Sequence, residues 1–140
     1  MKRYISHSEK DTKRIAKNIA QNLGKIHVIG LSGELGAGKT VFAQGFAKGL
    51  GINEKIISPT FVLIRQHKIP ISDKTLYHID LYRMENTADI KQLGLIDLMD
   101  DPRSIVLIEW VEKIKKILPN DAIIININKI DKEKRELIIK

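Results

Sequence analysis

A chain of 140 residues, 43% of them hydrophobic, can bury a sizeable core within one domain spanning 1–140 but has no length to spare for a second, substrate-binding domain. It contains no cysteine, which excludes disulfides and thiolate metal sites, and no apolar run approaches the length of a membrane span. With no signal peptide at its start it is expected in the cytoplasm, away from membranes, and its net charge of +7 suits an anionic partner such as RNA.

The first element in chain order is a helix. Ser8-Glu9-Lys10-Asp11 fits a capping box, and Ile15, Ile19 and Leu23 fall at i, i+4, i+8 beside Ala16 and Ala20, ahead of a stop at Gly24. Ile26 to Ser32 reads as a buried strand. It runs into Gly33-Glu34-Leu35-Gly36-Ala37-Gly38-Lys39-Thr40, an ungapped match to the phosphate-loop pattern G-x-x-x-x-G-K-[ST]. Such a loop wraps phosphates with backbone N–H groups, so glycines are needed where Cβ atoms would block close approach. The backbone from Glu34 to Val41 is the candidate cradle, Lys39 the cation for the β- and γ-phosphates, and the Thr40 hydroxyl a ligand for Mg²⁺. Val41, Phe42, Phe46 and Leu50 continue at helical spacing to Gly51, so a helix N-terminus adds positive potential beneath the phosphates.

A connection over Ile52–Ile57 leads to Ser58-Pro59-Thr60-Phe61, which is either a fixed turn or a switch-like loop bringing Ser58 or Thr60 to the γ-phosphate. Strands over Phe61–Lys68 and Thr75–Leu81, joined at Pro70–Lys74, form an antiparallel pair. Alternation puts Leu76, His78 and Asp80 on one face of the second strand, with Tyr77, Ile79 and Leu81 on the other. Asp80 at the strand end can approach a metal or an attacking water, or serve as a turn partner; His78 reads as a structural residue hydrogen-bonding the strand end. Residues 85–100 look helical with a break at Gly94, and Asp100–Arg103 is a turn.

Ser104-Ile-Val-Leu-Ile-Glu-Trp110 describes a central parallel strand with an acid at its C-terminal end, the edge where ligands sit in open α/β sheets. Glu109 there can hold Mg²⁺, orient the attacking water, or cap the next helix; Trp110 belongs to the core or shields the site. Ala122–Ile127 and Arg135–Ile139 alternate like a hairpin. Between them Asn128-Lys-Ile-Asp131 spells the N-K-x-D run with which GTPases read guanine. No D-x-x-G accompanies it and only nine residues follow, so it is read as turn chemistry. The expected fold is a three-layer α/β, P-loop NTPase-like domain whose mixed sheet is parallel at the centre and antiparallel at the edges.

Taken together, GELGAGKT at 33–40, SPTF at 58–61, HIDLYR at 78–83 and IEW at 108–110 resemble the bacterial TsaE (YjeE) family, the small ATPase of tRNA threonylcarbamoyladenosine (t6A) synthesis. The resemblance implies ATP and Mg²⁺ as cofactors and TsaD and TsaB as partners, with tRNA met indirectly or transiently and no DNA. It also implies that the chain hydrolyses ATP weakly alone, faster with its partners, and does not itself transfer the carbamoyl group. By position, Lys39 and the 34–40 backbone would hold phosphates, Thr40 and Glu109 would hold Mg²⁺, Asp80 would complete the site, and Ser58–Phe61 would be the switch-like loop. Ser8, Glu9 and Arg135 would approach the adenine, although Lys134 stands where the family pattern has a Gly before the Arg. A small-molecule P-loop kinase, a truncated GTPase-like switch and a nucleotide-dependent binding module are the alternatives. The kinase would need an Arg-rich lid, and Arg is scarce after Arg83.

Overall fold

Strand residues that alternate between two apolar faces need cover on both, and this chain supplies helices to each side. A computed structural model describes residues 2–57, 63–91 and 93–140. Its elements run β1 (Lys2–Ser6), α1 (Glu9–Gln21), β2 (Val28–Ser32), α2 (Lys39–Gly49), β3 (Ile64–Lys68), β4 (Thr75–Asp80), α3 (Thr87–Lys91), α4 (Leu95–Asp100), β5 (Ser104–Glu109), a 3-10 helix (Val111–Ile117), β6 (Ile123–Lys129) and β7 (Arg135–Ile139). The strands form one seven-stranded sheet in the order β1-β7-β6-β2-β5-β4-β3. The run β6-β2-β5-β4 is parallel, while β7 and β1 on one side and β3 on the other add antiparallel edges. This is the expected mixed α/β sheet.

Strand β5 shows how the layers form. All six of its residues are buried. Ile105 and Leu107 join a core that includes Ile15 and Ala16 of α1 and Phe42 and Phe46 of α2. Val106 and Ile108 join a second core with Ile90, Leu95, Met99, Val111 and Ile114, from α3, α4 and the 3-10 helix. A strand covered on both faces reads as an unbroken apolar run. Each such side chain, fully buried, stabilises the fold by about 1.5–3 kcal/mol. Among the described residues no helix is long and apolar enough to cross a membrane.

The helix N-terminus at Ser8 is as expected: its hydroxyl accepts from the Asp11 N–H at 3.0 Å. Asp11 reaches back one residue further than a capping box requires, accepting from the His7 N–H at 3.0 Å. That backbone donor, then the Arg14 guanidinium, holds the Asp11 carboxyl below the usual carboxylate range. Several boundaries differ from the sequence reading. The first helix stops at Gln21 with Asn22 as its C-cap, short of Gly24, and β2 starts at Val28 instead of Ile26. β4 ends at Asp80, one residue before Leu81, because the Asp80 carboxylate turns to accept from the Tyr82 N–H at 2.8 Å. Asn128 and Lys129 belong to β6 and extend it past Ile127. Strand β1 is not anticipated by the sequence reading at all. Its five residues, Lys-Arg-Tyr-Ile-Ser, carry little apolar signal, and pairing with β7 is what makes them a strand. The antiparallel β3–β4 pair and the break at Gly94, which has a φ of 75°, match expectation. The segment Ser58-Pro59-Thr60-Phe61 lies outside the described residues.

Helix α2 is held against α1 by close approach. A Cβ at Gly45 would clash with the Lys13 main chain, and one at Gly49 would stand 2.6 Å from the Lys17 carbonyl oxygen. Gly45→Ala should therefore destabilise the protein by about 1–3 kcal/mol, read as a lower midpoint in urea or thermal unfolding. An unchanged midpoint would contradict this helix crossing.

Candidate nucleotide site

The site begins where β2 ends. The chain turns through Gly33, Gly36 and Gly38, at φ values of 154°, 81° and 107°, and enters α2 at Lys39. Gly33 packs so closely on β6 that a Cβ would stand 2.5 Å from the Ile127 carbonyl oxygen. Gly38 is the N-cap of α2 and supplies no side-chain cap. The first-turn N–H groups are thus left for a ligand, with the helix dipole behind them.

Lys39 is 6% exposed. Its Nζ donates to the carbonyls of Gly33 at 2.5 Å and Glu34 at 3.1 Å, and lies 4.0 Å from the centroid of the Trp110 ring. Burial pushes the ammonium below the usual lysine range, against the pull of Glu109, Glu112 and Asp80. A buried lysine whose partners are two carbonyls and an aromatic face is held ready for an anion.

The acids come from neighbouring strands. Asp80 and Glu109 are directly paired in the parallel β4–β5 register, and each is 3% exposed. His78, read from the sequence as a structural residue hydrogen-bonding the strand end, lies inside β4 and reaches the acid at the end of β5: its Nε2 is 2.6 Å from Glu109 Oε2. Trp110 takes a left-handed backbone with φ 61°, which sets its ring over Lys39 and 5.1 Å from the Tyr82 ring. Of the two roles open in the sequence, core and shield, Trp110 shows features of both: it packs partly buried against the second core and lays its ring over Lys39.

Arg135, the first residue of β7, braces the loop from the far side. Its Nε donates to the Ala37 carbonyl at 2.9 Å and Nη2 to that of Gly36 at 3.5 Å, while Nη1 holds the Asp131 and Lys134 carbonyls at 2.9 and 3.0 Å.

These elements enclose a cleft of about 750 Å³. Of the residues singled out from sequence, Ser8, Glu9, Leu35, Gly36, Gly38, Lys39, Thr40, Val41, Asp80, Glu109 and Arg135 line it. Glu34 and Ala37 do not: Glu34 is exposed outside the cleft and Ala37 is buried beneath the loop. Thr60 lies outside the described residues. Thr12, Tyr82, Trp110, Lys132 and Glu133 also line the cleft. Sequence reasoning left Trp110 undecided and gave no site role to the other four: Tyr82 falls within the HIDLYR run at 78–83, while Thr12, Lys132 and Glu133 carry no motif and reach the cleft only by folding. Asn128 and Asp131 stay out of the cleft. Asp131 Oδ1 accepts from the Glu133 and Lys134 N–H groups at 2.9 and 2.8 Å, and these two donors keep its carboxyl below the usual range.

The family model described as "Threonylcarbamoyl adenosine biosynthesis protein TsaE" matches residues 6–137. The chain belongs to the TsaE family. Among its relatives, the tRNA threonylcarbamoyladenosine biosynthesis protein TsaE of Rickettsia bellii is 41% identical over 132 residues, covering 94% of this chain and 89% of the relative. The protein of the same name from Treponema pallidum is 34% identical over 137 residues, with 98% of each covered. Bacillus subtilis YdiB, known from a crystal structure, superposes with a TM-score of 0.79 at 32% identity, over 97% of this chain and 82% of that one. The phosphate-loop arrangement described above is thus set in a fold shared with YdiB.

If Arg135 braces the loop, Arg135→Ala should speed amide hydrogen exchange at residues 36–38 by about tenfold or more, since a hydrogen bond from a charged donor is worth about 1.5–3 kcal/mol. Exchange unchanged at those amides would remove the brace.

Proposed function

We propose that this chain binds ATP with Mg²⁺ in the cleft and hydrolyses it to ADP and phosphate in the service of tRNA threonylcarbamoyladenosine synthesis. The observation that carries the reading is the juxtaposition of Lys39, at an uncapped helix N-terminus, with the register-paired carboxylates of Asp80 and Glu109. The backbone N–H groups of the loop would bind the phosphates, and Lys39 would exchange its loop carbonyls for β- and γ-phosphate oxygens. Two carboxylates and the Thr40 hydroxyl are hard oxygen donors, and no group of three or more acidic, His or Cys side chains forms a closed metal cage among the described residues. That donor set fits Mg²⁺, which is held by one or two carboxylates with phosphates and water completing its shell. When bound, the ion would neutralise charge on the transferring phosphoryl group. Asp80 and Glu109 would hold Mg²⁺ and orient the attacking water, and the low exposure of both limits competing solvent.

The adenine would lie toward Ser8, Glu9 and Arg135, on the side of the cleft built by α1 and the last hairpin. Ser58 to Phe61 would sense the γ-phosphate as a switch-like loop, through Ser58 or Thr60. In this reading the chain works in the cytoplasm with TsaD and TsaB, which carry the carbamoyl chemistry, and meets tRNA through them. Its own ATP hydrolysis is slow until the partners order the site.

Lys39→Ala should lower ATP affinity about tenfold or more, about 1.4 kcal/mol, measured by titration of the folded variant. Glu109→Gln should instead abolish most phosphate release while changing ATP affinity much less, because it removes charge needed chiefly in the transition state. Wild-type affinity in the first variant or wild-type turnover in the second refutes the assignment. A further measurement concerns the base. With its carboxylate committed to the turn, Asp131→Ala should leave a preference for ATP over GTP unaltered. Tight GTP binding abolished by that change would mean a truncated GTPase.

A further inference from the structure

His78 is 1% exposed in the middle of β4 and does not line the cleft. Burying an imidazole costs free energy unless its nitrogens are hydrogen-bonded. Here one is and, among the described residues, one is not: Nε2 lies 2.6 Å from Glu109 Oε2, while Nδ1 is buried with no partner there. The residue opposite on β3, Arg65, also has a buried Nε without a partner among the described residues, so the two atoms do not satisfy each other. A histidine retained to tie down a strand would direct its nitrogens at main-chain groups. This one directs its single hydrogen bond at the acid of the nucleotide site. A carboxylate only accepts, so the imidazole donates from Nε2.

The register explains the reach. His78 lies two residues before Asp80 on the same face of β4, and Asp80 faces Glu109 across the parallel pair. The imidazole therefore approaches Glu109 from the interior of the sheet and is itself not among the residues lining the cleft. Glutamate has three side-chain torsions, and a carboxylate held at one oxygen loses most of that freedom before any ligand arrives.

Resting on the ATPase reading above, we propose that His78 is a positioning residue: by holding Oε2 it fixes the Glu109 side chain in one rotamer and leaves Oε1 as the oxygen offered to Mg²⁺ or to the attacking water. Partners of metal-binding carboxylates that act in this way contribute about 10–100-fold to metal affinity or activity.

The test compares the wild-type chain with His78→Gln and His78→Leu, each alone and combined with Glu109→Gln. Gln carries an amide N–H to the region of Nε2, whereas Leu fills the slot with no donor. Two quantities are read: steady-state kcat and KM for ATP, and the affinity for Mn²⁺, followed by electron paramagnetic resonance in the presence of a non-hydrolysable ATP analogue. His78→Leu should lose about tenfold or more in kcat and in Mn²⁺ affinity with little change in KM, and His78→Gln should recover most of both losses. In the Glu109→Gln background the two His78 variants should become indistinguishable, because the imidazole acts through the carboxylate. Equal losses for Gln and Leu, wild-type behaviour of Leu, or an effect undiminished without the Glu109 charge overturns the proposal. If Leu prevents folding, His78→Met serves as the donor-free variant under the same criteria. A wild-type chain that releases no phosphate, alone or with its partners, overturns the ATPase reading itself. An active wild type with an indifferent His78 overturns only this inference.

Discussion

A helix that starts at a glycine with no capping side chain leaves its first backbone donors unpaired, and the rest of this molecule is arranged about that unmet need. Gly38 begins α2 in this way, at the bottom of a cleft. Helix ends are ordinarily satisfied by Ser, Thr, Asp or Asn at a gain of about 1 kcal/mol. The same chain does so at Ser8, where the helix has no comparable loop in front of it. Leaving α2 uncapped costs stability but preserves donors for an anion. The neighbouring structure compensates. Gly45 and Gly49 let α2 press against α1, and Arg135 ties the loop carbonyls to the last hairpin.

Buried charge is the second constraint, and it is met by mutual arrangement. Lys39, Asp80 and Glu109 are each nearly inaccessible, a configuration that would be prohibitive for any one of them alone. Lys39 is neutralised in part by the acids and in part by two loop carbonyls and the Trp110 face. Asp80 uses one oxygen on the Tyr82 N–H, and Glu109 uses one on His78. Each group is thus held in place by specific contacts within the fold, the kind of arrangement that, under the function proposed above, would preorganise a phosphate and cation site.

The parallel sheet makes these contacts possible. In β6-β2-β5-β4 all the carboxyl ends point one way, so Ser32, Asp80 and Glu109 arrive at the same edge from strands far apart in sequence. The hydrophobic layers then hold that edge rigid. Leu107 and Ile108, the two residues before the acid, anchor to opposite cores, and a shift of β5 by a single residue would turn Glu109 to the wrong face.

What the sequence determined by itself is local. The phosphate loop, its strand and helix, the acids at two strand ends and the cap at Ser8 follow from spacing within a few residues, because periodicity and glycine placement are short-range physics. The central strand β5 was legible for the same reason, as four consecutive apolar residues, Ile105–Ile108, ending in an acid. Folding alone decided the rest. β1 became a strand only through β7, and Trp110 became the cover of Lys39 only through its left-handed backbone. His78 met Glu109 across a register that joins positions 31 residues apart, and Arg135 met Ala37 across 98. Such contacts depend on which strands pair and in what register, a choice made by burial of the whole apolar surface and not written in any single segment.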